Sequence, residues 1–60
     1  MIEASAKKTL GLYKAVVTVI DSEYRKSYSS VDMFINRKTA LKHAEAWRNE
    51  SLELGYVTKA

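Results

Sequence analysis

The chain has 60 residues, 47% hydrophobic and 28% charged, with ten Lys/Arg against seven Asp/Glu for a net charge of +3. That makes one small domain, because two cores cut from this length would each fall below the size that folds unaided, and a composition near the globular average excludes wholesale disorder. The lack of cysteine excludes disulfides and thiolate metal ligands, and a single histidine, His43, excludes a multi-histidine metal site within one chain.

Residues 1–10 read as a flexible basic arm, short, polar and without a stable period, leading into Lys7–Lys8. Glu3 and that lysine pair are unlike a secretory leader. The longest uncharged apolar run, Ala15–Ile20, falls far short of the ~20 residues that cross a bilayer. A cytoplasmic domain without membrane contact is the expectation, with residues 11–60 forming one sheet-plus-helix unit.

Gly11 marks the start of its first element, and Leu12–Ile20 is rich in β-branched residues, which argues strand. Tyr13, Ala15, Val17 and Val19 give that strand a consistently apolar face. Asp21-Ser22-Glu23 is turn chemistry; without glycine it predicts a longer or type I turn rather than a tight primed one. Tyr24–Ile35 is a second extended stretch whose apolar parity changes, since Val31 and Met33 share one phase and Phe34 the other. Such a change needs a bulge or turn, placed here around Ser29–Asp32, which could split the stretch into two short strands.

Asn36 is a good N-cap for a helix over 37–54, in which Ala40, Ala44, Trp47, Ser51 and Leu54 recur at helical spacing and Leu41 and Leu52 widen the stripe. Gly55 stands where a left-handed C-cap belongs, and Tyr56–Thr58 either adds a short final strand or lies against the sheet. The fold class is therefore α+β: a two- or three-stranded antiparallel sheet from residues 11–35, packed against one C-terminal helix. The expected core is Leu12 or Tyr13 with Ala15, Val17, Val19, Val31, Phe34, Ala40, Leu41, Ala44, Trp47 and Leu54.

No constellation supports an enzyme or a bound cofactor. No serine lies in a nucleophile elbow, the carboxylates show no acid/base spacing, and the chain lacks the glycines of a phosphate loop. His43 reads as a boundary residue on the helix flank. Charge is more informative: residues 1–42 hold eight Lys/Arg against four acids, and residues 43–60 two against three. Two basic clusters stand out. Tyr24, Arg25, Lys26 and Tyr28 join aromatics, cations and the hydroxyls of Ser27, Ser29 and Ser30 on one strand, suited to phosphates and base edges. Arg37 and Lys38 occupy the first helical positions, where the dipole favours anions, and so offer a seat for phosphate or carboxylate. Lys14 and Lys42 extend the basic set. The same charges equally suit a solvated surface.

Gly11-Leu12-Tyr13-Lys14-Ala15-Val16-Val17, Tyr24-Arg25-Lys26-Ser27, Phe34-Ile35-Asn36-Arg37-Lys38-Thr39-Ala40 and Trp47 together resemble the amino-terminal, arm-type DNA-binding domain of tyrosine recombinases and the related plant ethylene-response-factor domains. Those domains open with Gly-x-Trp/Tyr and carry Phe-x-Thr-Lys-x-x-Ala at the sheet-to-helix junction. Phe34-x-Asn36-Arg37-x-x-Ala40 keeps that spacing, with Asn for Thr and Arg for Lys. The likeness covers roughly residues 11–50; the hairpin turn lacks the family's glycine, and these residues hold no recombinase catalytic domain. The resemblance implies a three-stranded sheet laid in the major groove of double-stranded DNA. The expectation is a non-enzymatic nucleic-acid-binding module of phage, prophage or mobile-element type, using Lys14, Tyr24, Arg25, Lys26, Tyr28, Arg37, Lys38 and Lys42, with no metal. The alternative is a small regulator or inhibitor that meets a host protein through its sheet edge. A monomer and a strand-paired dimer are both compatible with the exposed edges.

Overall fold

A computed structural model describes residues 1–58; Lys59 and Ala60, the end of the expected domain, lie outside the described residues. Three strands, β1 (Ile2–Thr9), β2 (Leu12–Asp21) and β3 (Tyr24–Phe34), are followed by one helix, α1 (Arg37–Leu54). The strands form an antiparallel meander in the order β1-β2-β3, and α1 packs across one face, mainly over β1 and β2. The architecture is the expected α+β sheet and helix.

The first strand corrects the reading of residues 1–10 as a flexible arm. Ile2 to Thr9 pairs with Val19 to Leu12 along its whole length, and the amino terminus is tied to Ile20 by hydrogen bonds of 3.0 and 2.8 Å. Ile2, Ala4 and Ala6 alternate with Glu3, Ser5 and Lys7 between half-buried and exposed, the period-two signature of a half-covered strand. Leu10 and Gly11 join β1 to β2 with φ of 51° and 80°. Two successive positive φ values in a two-residue loop are those of a type I′ turn, whose twist matches the flanking strands. Gly11 thus closes a hairpin, where the sequence suggested the start of the first element. The second hairpin turns at Ser22–Glu23, with Asp21 paired to Tyr24 and Asp21 Oδ1 accepting from the Ser22 N–H at 2.7 Å. Neither residue has positive φ, so this turn is not primed, as its lack of glycine predicted.

The parity conflict in β3 resolves as a bulge at the expected place. Lys14 pairs with Met33 and Val16 with Ser29, so one residue of β2, Ala15, faces three of β3, Ser30 to Asp32. The Ala15 N–H would be left without a carbonyl partner. Ser30 supplies it: its Oγ accepts from Ala15 N at 3.0 Å and donates to the Asp32 carbonyl at 2.8 Å. The strand continues through the bulge without splitting.

The helix begins at Asn36, whose Oδ1 accepts from the Thr39 N–H at 2.8 Å, and ends at Gly55 with φ 83°. Its buried stripe is Ala40, Ala44, Trp47 and Ser51, and the core is Ala15 and Val17 of β2 against Ala44 and Trp47, bordered by Ile2, Ala4, Tyr28, Phe34 and Val57. Alanines on both surfaces let the helix come close to the sheet, and the indole fills the remaining width. Residues 56–58 lie against the sheet and add no strand: Trp47 Nε1 donates to the Thr58 carbonyl at 2.8 Å, and Val57 packs on the core.

Three expected core residues are outside it. Val31 is 83% exposed because the bulge places it on the β3 edge, which the helix scarcely reaches. Leu54, 49% exposed, lies in a last turn whose inner side is taken by the returning Val57–Thr58. Leu12 is exposed beside the first turn, and its alternative Tyr13 is half-buried. Val19, Phe34 and Leu41 are half-buried at the margin.

Two stability predictions follow from these contacts. Trp47→Ala should cost about 3–5 kcal/mol, comparable with the whole stability of so short a domain, and thermal melting would show the cooperative transition lost. Ser30→Ala leaves the Ala15 N–H buried without an acceptor and should cost about 1–3 kcal/mol, read as a lower urea midpoint at an unchanged slope.

Candidate nucleic-acid interface

Strand parity divides the basic residues between two faces. With Ala15 and Val17 turned to the helix, Lys14, Val16, Thr18 and Ile20 look the other way. Their cross-strand neighbours are Glu3, Ser5 and Lys7 on β1 and Arg25, Ser27, Ser29 and Met33 on β3. Among the described residues no element covers this second face. Its middle is built of short side chains, Ser5, Val16, Thr18, Ser27 and Ser29, with Thr18 Oγ1 and Ser27 Oγ hydrogen-bonded at 3.0 Å. Val16 and Thr18 are nonetheless buried, shielded by their neighbours in the central strand.

Cations stand at both ends of that short-chain centre. Lys7 and Lys14 are cross-strand partners at one end, and Arg25 faces Ile20 at the other. From Lys14 to Ile20 is six residues of strand, about 20 Å at ~3.3 Å per residue. Beside Arg25, a shallow groove of about 590 Å³ runs over the β1 edge, lined by residues 1–5 together with Thr18, Arg25 and Arg48. Arg48 comes from the helix and is fixed there, its Nε donating to the Ile2 carbonyl at 2.8 Å.

The eight residues anticipated from the sequence do not form one patch. Lys14 and Arg25 share the open face. Tyr24, Lys26 and Tyr28 have the opposite parity and lie on the helix side of β3, where the Lys26 ammonium is 5.1 Å from the centre of the Tyr28 ring. Arg37 and Lys38 are exposed at the helix start, next to the Phe34 end of β3 and therefore at the far end of the strand from Arg25. Lys42 is exposed on the helix. His43 sits at the flank, its ring 5.1 Å from that of Phe34. Lys7, expected to aid the contact from a basic arm, joins the open face as a strand residue, together with Glu3 and Ser5, which were missed with β1; the alternation of residues 2–7 was the signal that could have found them.

No protein-family model matches the chain, and no curated protein or solved structure matches it. Among the described residues no helix is long and apolar enough to cross a membrane, and no three His, Asp or Glu side chains are grouped to hold a metal ion.

The first helical turn carries no acid and the last no base, the reverse of what the macrodipole favours. Replacing Arg37 and Lys38 together by Glu should therefore stabilise the isolated domain, by about 0.3–1 kcal/mol for each residue, and raise its melting temperature. Asn36→Ala, which removes the cap hydrogen bond, should lower stability by about 1 kcal/mol.

Proposed function

We propose that the domain binds double-stranded DNA non-enzymatically, with the uncovered sheet face as its contact surface. The observation that supports this most is the layout of that face: small hydroxyl-bearing side chains in the centre, with Lys14 and its neighbour Lys7 at one end and Arg25 at the other. A major groove is about 12 Å wide and accepts a β-ribbon. Cations about 20 Å apart can therefore reach the two phosphate backbones while the exposed Ser5, Ser27 and Ser29 approach base edges. The likeness of Gly11–Val17 and Phe34–Ala40 to recombinase arm-type domains points to the same use of the sheet, although here Gly-x-Tyr opens the second strand. On this reading the functional set narrows to Lys14 and Arg25, with Lys7 added. Arg37, Lys38 and Lys42 lie off the contact face.

A second reading, a regulator that meets a host protein, draws support from the β3 edge. Val31, Met33 and Ile35 are all exposed there or just beyond it, and a strip of exposed apolar side chains suits contact with a protein surface.

Titration of duplex DNA distinguishes the two. Lys14→Glu with Arg25→Glu should weaken binding at least about tenfold at low salt while the melting temperature holds, because both groups contribute through phosphates alone. Lys42→Glu should change affinity little. Wild-type affinity should fall with salt at a log–log slope between about −2 and −3 per chain. Undetectable binding at low salt would overturn the DNA reading and favour the protein partner.

A further inference from the structure

Both outer strands of the three-stranded sheet present backbone groups to solvent, but the two edges differ. Met1 and Ile20 exchange both of their backbone hydrogen bonds. Antiparallel pairs alternate between bonded and non-bonded, so Glu3, Ser5 and Lys7 turn their backbone groups inward to β2, while Ala4, Ala6 and Lys8 turn theirs outward. Ile2 does the same, its carbonyl taking the Arg48 bond. On β3 the outward run is broken by the bulge at Ser30–Asp32, a device that blunts an edge against pairing. The regular, unbulged edge is β1.

We propose that β1 pairs antiparallel with β1 of a second copy of this chain, in the register that sets Ser5 opposite Ser5, to give a two-fold dimer with a continuous six-stranded sheet. Charge selects the register. With Ser5 on the dyad, Glu3 faces Lys7 of the second copy and Lys7 faces its Glu3. A slip of two residues either way sets Glu3 or Lys7 against Ser5 instead and loses both ion pairs. These pairs fall at non-hydrogen-bonded positions, where cross-strand side chains are closest. The outward groups of Ala4 meet those of Ala6, supplying four backbone hydrogen bonds, and Ile2 meets Lys8 beyond them.

The helix permits this arrangement. An antiparallel dyad is perpendicular to the sheet, so both helices fall on one side and both open faces on the other. With strands about 4.8 Å apart and α1 lying over β1 and β2, the two helix axes stand about 10 Å apart, an ordinary packing distance. Arg48 fixes its own turn of the helix over Ile2. Two turns earlier on the same flank, Leu41 is half-buried.

This inference is independent of whether the open face meets DNA, and its test uses none. The chain has no cysteine, so Ser5→Cys introduces a single thiol whose mate would stand about 4.5 Å away between Cα atoms, within disulfide range. Mild oxidation should convert Ser5→Cys to a covalent dimer, whereas Ser27→Cys on the β3 edge should remain monomeric. Sedimentation equilibrium of the wild type from micromolar to millimolar concentration should show reversible doubling of mass. Glu3→Lys should weaken the dimer about tenfold, and Lys7→Glu added to it should restore association. A folded wild type that stays monomeric throughout, preferential cross-linking of Ser27→Cys, or a Glu3→Lys variant that associates like wild type would each overturn the proposal.

Discussion

The domain depends on one side chain wedged between three surfaces. Trp47 is almost fully buried against Ala15 and Val17 of the sheet and Ala44 of its own helix, while its indole N–H holds the carbonyl of Thr58. The surrounding residues are small, so little else in the core is large enough to exclude water across the gap between helix and sheet. Ser51 sits one turn further along, its hydroxyl donating to the Trp47 carbonyl at 2.8 Å and accepting from Thr58 N at 3.4 Å. The carboxy-terminal segment is thus held by the residues that position the indole. A core of this size leaves the second face of the sheet with no element to cover it, and the candidate function resides on that face.

The bulge in β3 has a similar double effect. It spares the Ala15 N–H through Ser30 and at the same time carries Val31 out to the edge. Beyond the bulge the strand returns to register, so that Phe34 closes the core beside Tyr13 and Met33 falls on the open face next to Lys14. The amphipathic order of the last strand therefore rests on a hydroxyl that substitutes for a missing carbonyl. That dependence gives Ser30, like Ser51 on the helix, a buried position beside a core of alanine, valine and tryptophan.

The helix was legible in the sequence because its signals were local: a cap at Asn36, a stripe at Ala40, Ala44, Trp47 and Ser51, and a left-handed glycine at 55. The bulge was legible too, since Val31, Met33 and Phe34 could not share one face of a regular strand. β1 was harder to read. Alanine is a weak strand former, and Ala4 and Ala6 become strand residues through pairing with β2, although their alternation with Glu3, Ser5 and Lys7 is present in the chain. The turn was masked because Leu10 is an unusual residue for left-handed backbone. The site suffered from a different error. Arg25 and Lys26 were read as one cluster because they are adjacent, yet neighbours in a strand face opposite ways, and only the assignment of a face to the helix says which of them meets the open side.

Each strand pairs with its sequence neighbour across a two-residue turn, so the sheet can assemble from short loops at little entropic cost. The Arg48 bond to the Ile2 carbonyl is unlike these contacts, for it joins residues 46 positions apart. Contacts of such separation close late, after local pairing has brought their ends together. An interaction absent from the folding transition state acts on the rate of opening and hardly on the rate of closing. Arg48 would then act as a latch in the kinetic sense, lengthening the time for which the helix, held chiefly by Trp47, stays down on β1 once the meander has formed.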